Sequence, residues 1–215
     1  MKLFRCSSLS KLMTEPKKKS EVLSESAKSS ISAMVKEDRF GFRSFTGNKF
    51  TQKGNSLEDQ AIDLSGKMRF RKYQKHVGRV ENGLITGECD VLDQERKLII
   101  DTKCTWDIGT HPFFKDEALE KVKKAGYDWQ MQGYMDLYNC EKAFVDFWLF
   151  PCPAELLNDW DDIDQLVHMV EAIPLNERLT TVVIDRDESM IEQIKQKIPL
   201  CQEYYAELVE ELKVK

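Results

Sequence analysis

The chain has 215 residues, of which 41% are hydrophobic and 32% charged, and its formal net charge is −5. This length and composition predict one soluble globular domain, residues 1–215, with a substantial core. No apolar run approaches the length of a membrane span, and the N-terminal apolar stretch is too short for a signal peptide, so we expect a cytoplasmic protein without a membrane partner.

Charge is unevenly distributed along the chain. Residues 1–100 contain 20 Lys and Arg against 13 Asp and Glu, whereas residues 101–215 contain 12 against 24. This asymmetry predicts a basic face that can bind phosphates while the rest of the surface stays acidic. Chance clustering of charge on a solvated surface is the alternative explanation.

Two helices are predicted near the N-terminus. The first lies within residues 7–13 and begins with serines, including Ser8, that can cap backbone N–H groups or leave them free for an anion. Arg5 lies close by in the sequence and could assist. Apolar residues at helical spacing predict the second helix over residues 20–38.

Residues 41–54 interleave phenylalanines with basic residues, among them Lys53. Such a segment could stack bases and neutralise phosphates, although a loop whose phenylalanines pack into the core is the favoured interpretation. A helix then opens with Asn55 or Ser56 as its cap. Glu58 stands one turn before an apolar position, so it should face inward, where a carboxylate needs a partner.

The next segment, residues 67–82, is strongly basic and should lead into the first strand of a sheet. Because cations clustered along one edge attract the DNA backbone, Arg69, Arg71 and Lys72 are candidate DNA contacts.

Residues 84–106 predict two β-strands joined by a polar turn at 93–96. Since side chains alternate between the faces of a strand, charged groups of both strands should converge on a common surface. These residues are Thr86, Glu88, Asp90, Asp101 and Lys103. Grouped carboxylates need compensation, and Mg²⁺ would supply it while leaving positions open for a phosphate. Lys103 would then point at that phosphate or at the attacking water.

Beyond the strands, Trp106 lies in a loop expected at the mouth of this site. A helix over 116–138 would carry Tyr127, Gln130 and Tyr134 on one face, where an amide and a phenol can hydrogen-bond a phosphate or water. The remaining predicted elements carry no active-site pattern. They are a strand at 143–151, an acidic helix at 160–172, a strand at 179–185 and a long amphipathic helix at 187–213.

Three motifs occur in a characteristic order: Gly-Glu-Cys-Asp at 87–90, Ile-Ile-Asp-Thr-Lys at 99–103, and Tyr-Asp-Trp-Gln-Met-Gln-Gly-Tyr at 127–134. Together they resemble the PD-(D/E)xK nuclease superfamily, in its RecB-type and lambda exonuclease-type branch, which includes YqaJ-like viral recombinases. Gln130 and Tyr134 match the Gln-x-x-x-Tyr element of that branch. The resemblance covers about residues 1–150.

The resemblance implies an α/β (α+β) fold with a restriction-endonuclease-like core, in which helices flank a central mixed sheet. It implies one or two Mg²⁺ or Mn²⁺ ions and a catalytic role for Lys103, Gln130 and Tyr134. The implied metal ligands are Glu58, with Asp59 as fallback, Asp90, Asp101 and the carbonyl of Thr102. Ser8 resembles an early serine that contacts the terminal phosphate of the substrate, although an ordinary helix cap is an equal alternative.

The six cysteines do not fit the iron–sulfur cluster that some relatives carry, because the gaps separating the late cysteines are too wide. We therefore expect no cluster, and reduced, buried thiols instead. The cysteines are Cys6, Cys89, Cys104, Cys140, Cys152 and Cys201.

For function, the resemblance implies an exonuclease that resects double-stranded DNA from its ends, 5′ to 3′, in phage-type recombination. Such enzymes work with a single-strand-annealing protein, and ring-shaped trimers occur among them. The alternatives are a RecB-like or CRISPR-adaptation-like single-strand nuclease, a structure-specific endonuclease on the same fold, and a DNA-binding protein that has lost catalysis.

Overall fold

A computed structural model of the chain describes residues 1–43 and 46–214. Its helices are α1 Leu9–Leu12, α2 Glu25–Phe40, α3 Lys49–Lys67, α4 Lys115–Ala125, α5 Tyr127–Tyr138, α6 Met169–Ala172 and α7 Glu188–Val214. Its strands are β1 Phe4–Arg5, β2 Val80–Glu81, β3 Ile85–Gly87, β4 Val91–Asp93, β5 Leu98–Thr105, β6 Lys142–Leu149 and β7 Leu179–Asp185. No helix in these two described stretches combines the length and the hydrophobicity that crossing a bilayer requires.

The strands form two mixed sheets. A small sheet has the order β1-β3-β2, and a larger one has the order β4-β5-β6-β7. Strands β5 and β6 are parallel, and α4 and α5 connect them, whereas β4 and β7 pair antiparallel at the edges. Helices flank these sheets, so the predicted α/β fold class is confirmed, with a second small sheet in addition.

The central strands are buried on both faces. On one face of β5, Ile99 packs with Val145 and Met131, which lies on α5. On the other face, Ile100 packs against Ile62 of α3. Burial on both faces explains the apolar run 98–100 at the start of β5 and the largely apolar sequence of β6.

Helix α3 begins earlier than its sequence suggests. The Asn48 side chain accepts a hydrogen bond from the Thr51 backbone N–H at 3.0 Å, so the helix starts at Lys49 and the predicted cap near residue 55 is wrong. The prediction that the phenylalanines of this region pack into the core is also wrong for Phe42 and Phe50, which are 63% and 51% exposed. Ser44 and Phe45 lie outside the described residues.

The predicted helix over 116–138 is two helices. Gly126 adopts a positive φ of 71° and ends α4, and its N–H bonds back to the Val122 and Lys123 carbonyls. A Cβ at Gly126 would lie 2.2 Å from the Ser10 Cβ. The close approach of the N-terminal segment therefore requires a residue without a Cβ at this break.

The first predicted strand of the 84–92 region is also interrupted. Residues 88–90 separate β3, in the small sheet, from β4 in the large one. Glu88 accepts a hydrogen bond from the Gly78 N–H at 3.1 Å and lies 3.8 Å from the Arg79 guanidinium. The predicted common face of Thr86, Glu88 and Asp90 is therefore wrong.

The C-terminal elements follow the prediction with one exception. The strand Leu179–Asp185 is confirmed, as is the long C-terminal helix. The predicted helix over 160–172 begins only at Asp164, as a π-helical turn over Asp164–His168 that continues into α6.

Candidate active site

A pocket of about 590 Å³ opens between α3, the end of β5 and the start of α5. Its lining includes five predicted site residues, Glu58, Asp90, Thr102, Lys103 and Trp106. Residues separated by almost fifty positions in the chain thus meet at one surface. Asp101 lies beside this pocket with only 1% of its surface exposed.

Asp90 is held directly against β5. It immediately precedes β4, which pairs antiparallel with β5 so that Val91 lies opposite Ile100. Its Oδ2 accepts two hydrogen bonds from Thr102, from the backbone N–H at 2.7 Å and from Oγ1 at 3.0 Å. The hairpin therefore brings Asp90 next to Asp101 and Lys103, as predicted.

Asp101 and Lys103 project from the same face of β5 and form an ion pair. Oδ2 of Asp101 is buried, contacts the Lys103 ammonium and receives no hydrogen bond of normal geometry. Burial raises the pKa of Asp101 well above its usual range; Lys103 opposes this shift, whereas the Asp90 carboxylate adds to it. The pKa of Lys103 is raised in turn, because Asp101 and Asp90 outweigh the effect of its burial.

Glu58 reaches the pocket from α3, about 27% exposed, where its carboxylate forms an ion pair with Lys75. Lys75 belongs to the irregular segment 71–79. The next residue, His76, donates its backbone N–H to the Asp90 carbonyl at 2.7 Å, so this segment is attached to the site at two points. Asp59, the fallback for Glu58, is exposed on the same helix.

Three residues of α5 lie on the side of β5 that carries Asp101. Gln130 donates its Nε2 to the Tyr134 hydroxyl at 3.1 Å, and both side chains are buried. Burial together with the nearby Asp101 carboxylate raises the pKa of Tyr134. Tyr127 lines the pocket itself, and the Lys103 ammonium lies 5.1 Å from the centre of its ring.

Two of these residues were not predicted to be part of the site. Sequence reasoning placed Tyr127 on the same helix face as Gln130 and Tyr134 but gave it no role. Lys75 could not be recognised in this way, because nothing in a basic segment indicates which lysine meets Glu58.

Two predicted DNA contacts are corrected by the structure. The helix start at Lys49 turns Lys53 inward, where its fully buried ammonium donates to the carbonyls of Trp106 and Phe150 at 2.7 and 2.6 Å. Arg69 forms two hydrogen bonds, 2.8 and 2.7 Å long, with the buried carboxylate of Asp146. Both cations thus bind protein oxygens rather than project from a surface.

The other predicted DNA contacts lie at or near the surface. Arg71 and Lys72 are exposed. Arg5 and Ser8 line a second pocket of about 300 Å³, together with Arg79. Ser8 precedes α1, and its side chain makes no capping hydrogen bond.

Trp106 is a largely buried wall of the main pocket. It is 8% exposed, and the Lys49 ammonium lies 4.6 Å from its ring centre.

The carboxylates of Glu58, Asp90 and Asp101 are suitable ligands for a divalent cation such as Mg²⁺, although each of them has a protein partner in the structure. Across residues 1–43 and 46–214, no group of three or more His, Cys, Asp or Glu side chains is arranged to hold a metal ion. Glu58 is paired with Lys75, Asp90 with Thr102, and Asp101 with Lys103. The donors are all oxygens, which are the ligands that hard divalent cations prefer. The six cysteines are free, and five of them are buried.

Comparison with known proteins identifies the family. No protein-family model and no curated protein matches the chain. Among solved structures, a phage-related exonuclease from Haemophilus somnus 129PT is 52% identical, with a TM-score of 0.95 over 98% of this chain and 96% of that one.

More distant structures share the fold. An alkaline exonuclease from Laribacter hongkongensis is 16% identical, with a TM-score of 0.67 over 98% of this chain and 91% of that one. A structure of that exonuclease in complex with dAMP is 18% identical, with a TM-score of 0.64 over the same shares of the two chains. The resemblance predicted from the motifs is thus confirmed, and the chain belongs to the phage-related exonuclease family, in the lambda exonuclease-like branch of the PD-(D/E)xK nucleases.

Proposed function

We propose that the protein is a Mg²⁺- or Mn²⁺-dependent deoxyribonuclease that hydrolyses phosphodiester bonds from the ends of double-stranded DNA, in the 5′ to 3′ direction. Its membership of an exonuclease family supports this proposal. The observation that carries it is the convergence of Asp90, Asp101 and Lys103 on one pocket with Glu58, which arrives from a separate helix.

Glu58, Asp90, Asp101 and the Thr102 carbonyl would hold one or two ions. When bound, such a cation supplies a nucleophile at neutral pH and neutralises charge on the phosphate. The two hydrogen bonds from Thr102 keep Asp90 oriented without any ion, so part of this ligand set is preorganised.

Lys103 orients the attacking water and offsets the negative charge that develops on the phosphate. Its position on β5, close to the pocket and packed near the Tyr127 ring, suits this role. The family resemblance assigns Gln130 and Tyr134 hydrogen bonds to the phosphate or water. Their mutual hydrogen bond holds both side chains near Asp101.

DNA binding is assigned to two surfaces. Arg5 and Ser8 are proposed to bind the terminal phosphate in the second pocket, where Arg79 adds positive charge and the Lys2 ammonium is paired with the Asp38 carboxylate. The exposed side chains of Arg71 and Lys72 would contact the backbone, and Trp106 would line the path of the strand. The dAMP complex of the alkaline exonuclease supports nucleotide binding by this fold.

The family resemblance extends the proposal to partners. In the proposed role in phage recombination, the protein acts with a single-strand-annealing protein. It forms a ring-shaped trimer and works in the host cytoplasm.

The test is cleavage of end-labelled linear duplex, nicked circular and single-stranded DNA in Mg²⁺ by the wild type, Asp101→Asn and Lys103→Met. The exposed Asp63→Asn on α3 is a matched control. We expect the wild type and the control to release nucleotides from 5′ ends of linear duplex, and the two site variants to be inactive. Equal cleavage by all four proteins would refute the assignment. Preference for single strands or nicked circles would favour the other nuclease classes, and an inactive wild type would favour a non-catalytic DNA-binding protein.

A further inference from the structure

Lys75 forms an ion pair with Glu58 in the candidate active site, which its sequence neighbourhood does not predict. Its ammonium contacts the Glu58 carboxylate across seventeen positions of the chain, with 49% of the Lys75 side chain still exposed to solvent. The adjacent His76 N–H is bonded to the Asp90 carbonyl at 2.7 Å. Consecutive residues therefore contact two of the four proposed ligand residues, Lys75 through the Glu58 carboxylate and His76 through the Asp90 backbone carbonyl.

The same arrangement occurs deeper in the pocket, where Lys103 contacts Asp101. Two ammonium groups thus neutralise two of the three carboxylates that would bind a cation. A carboxylate oxygen in contact with an ammonium must release it before it can coordinate a metal at full strength, because both compete for the same lone pairs.

We propose that Lys75 is the counter-ion of the metal-free site and that a divalent cation must displace it from Glu58 in order to bind. This proposal depends on the metal-dependent nuclease function proposed above. The His76 hydrogen bond keeps the displaced ammonium beside the pocket, where it can meet a phosphate of the DNA. Lys75 is therefore a residue that sets metal affinity rather than a metal ligand.

The first test is a calorimetric titration of Mn²⁺ into the full chain without DNA. Lys75→Gln is expected to bind Mn²⁺ about two- to fivefold more tightly than the wild type, the range that loss of a half-exposed ion pair allows. Lys75→Arg, which keeps the cation, should bind no more tightly than the wild type.

A matched control is available on α3. Lys67 pairs with Asp63 at 2.6 Å, both side chains are more than half exposed, and Asp63 is not a proposed ligand. Lys67→Gln should leave Mn²⁺ affinity unchanged. An equal gain in Lys67→Gln and Lys75→Gln would overturn the proposal, because it would show a general charge effect.

A second test measures the displaced group itself. Lysine-selective acylation followed by mass spectrometry should show that Mn²⁺ increases modification of Lys75 and leaves Lys67 unchanged. No increase at Lys75 would overturn the proposal.

The two proposals can be separated by the wild-type titration. If the wild type binds no Mn²⁺, both the metal-dependent function and the role of Lys75 fail. If the wild type binds Mn²⁺ and Lys75→Gln binds it no more tightly, only the role of Lys75 fails.

Discussion

Replacing Lys53 with Met is expected to destabilise the fold by releasing the first turns of α3 from the sheet. The Lys53 ammonium is fully buried and donates to the Trp106 and Phe150 carbonyls, which lie just beyond the ends of β5 and β6. Met has a similar length and shape but no donor. The substitution therefore leaves two carbonyl oxygens unpaired in the interior.

Each unpaired buried acceptor costs about 1–3 kcal/mol. Burial of the ammonium carries its own desolvation penalty, which Met removes, so part of that cost is recovered. We expect a net loss of about 2–4 kcal/mol in the free energy of unfolding. Because Glu58 lies on the same helix, nuclease activity should fall as well.

The assay is urea unfolding followed by circular dichroism, with Lys49→Met as the control. Lys49 lies one turn earlier on α3, is 39% exposed and pairs with Asp161, so its replacement should lower stability much less. Equal losses in the two variants, or no loss in Lys53→Met, would refute the reasoning.

The pH dependence provides an independent check. Burial lowers the pKa of Lys53 in the folded state, so between that pKa and about 10.4 the unfolded chain binds more protons at this residue. The stability of the wild type relative to Lys53→Met should therefore rise with pH across this window. The neutral amine still carries two N–H donors, enough for both carbonyls. A difference that falls with increasing pH would contradict this account.

Three further predictions follow from the contacts. Glu58→Gln should reduce the turnover of duplex DNA at least ~100-fold, because it removes a proposed metal ligand, whereas Asp59→Asn should retain nearly wild-type turnover. A larger loss in Asp59→Asn than in Glu58→Gln would show that Asp59, not Glu58, is the ligand. Arg69→Met should lower the free energy of unfolding in urea by about 3–5 kcal/mol, because it leaves the fully buried Asp146 carboxylate without its cation and with only the Ser65 and Thr181 hydroxyls as partners; a loss near zero would contradict a structural role. Gly126→Ala should lower the melting temperature because of its positive φ and the 2.2 Å approach of another Cβ. Gly54→Ala lies within α3, where a Cβ would meet no other atom, and should raise the free energy of unfolding by about 0.5–1 kcal/mol. Similar stability changes in the two glycine variants would show that steric contacts at Gly126 do not determine its effect.

Features that depend on local periodicity could be predicted from the order of residues alone. Alternation along β5 places Asp101 and Lys103 on one face in any register, and the short polar turn before β5 brings Asp90 alongside. The apolar start of β5 and the largely apolar sequence of β6 reflect burial on both faces, and the order of the three motifs was sufficient to identify the family.

Features that depend on contacts between residues far apart in the chain could not be predicted in this way. The direction of Lys53 follows from a cap at Asn48 and from two carbonyls contributed by separate strands. The need for glycine at the break after α4 comes from the approach of Ser10. The pairing of Glu58 with Lys75 could not be predicted, because the chain turns back after α3 and brings the two side chains together. The attraction between opposite charges depends on their distance in space, which the spacing of residues in the sequence does not give.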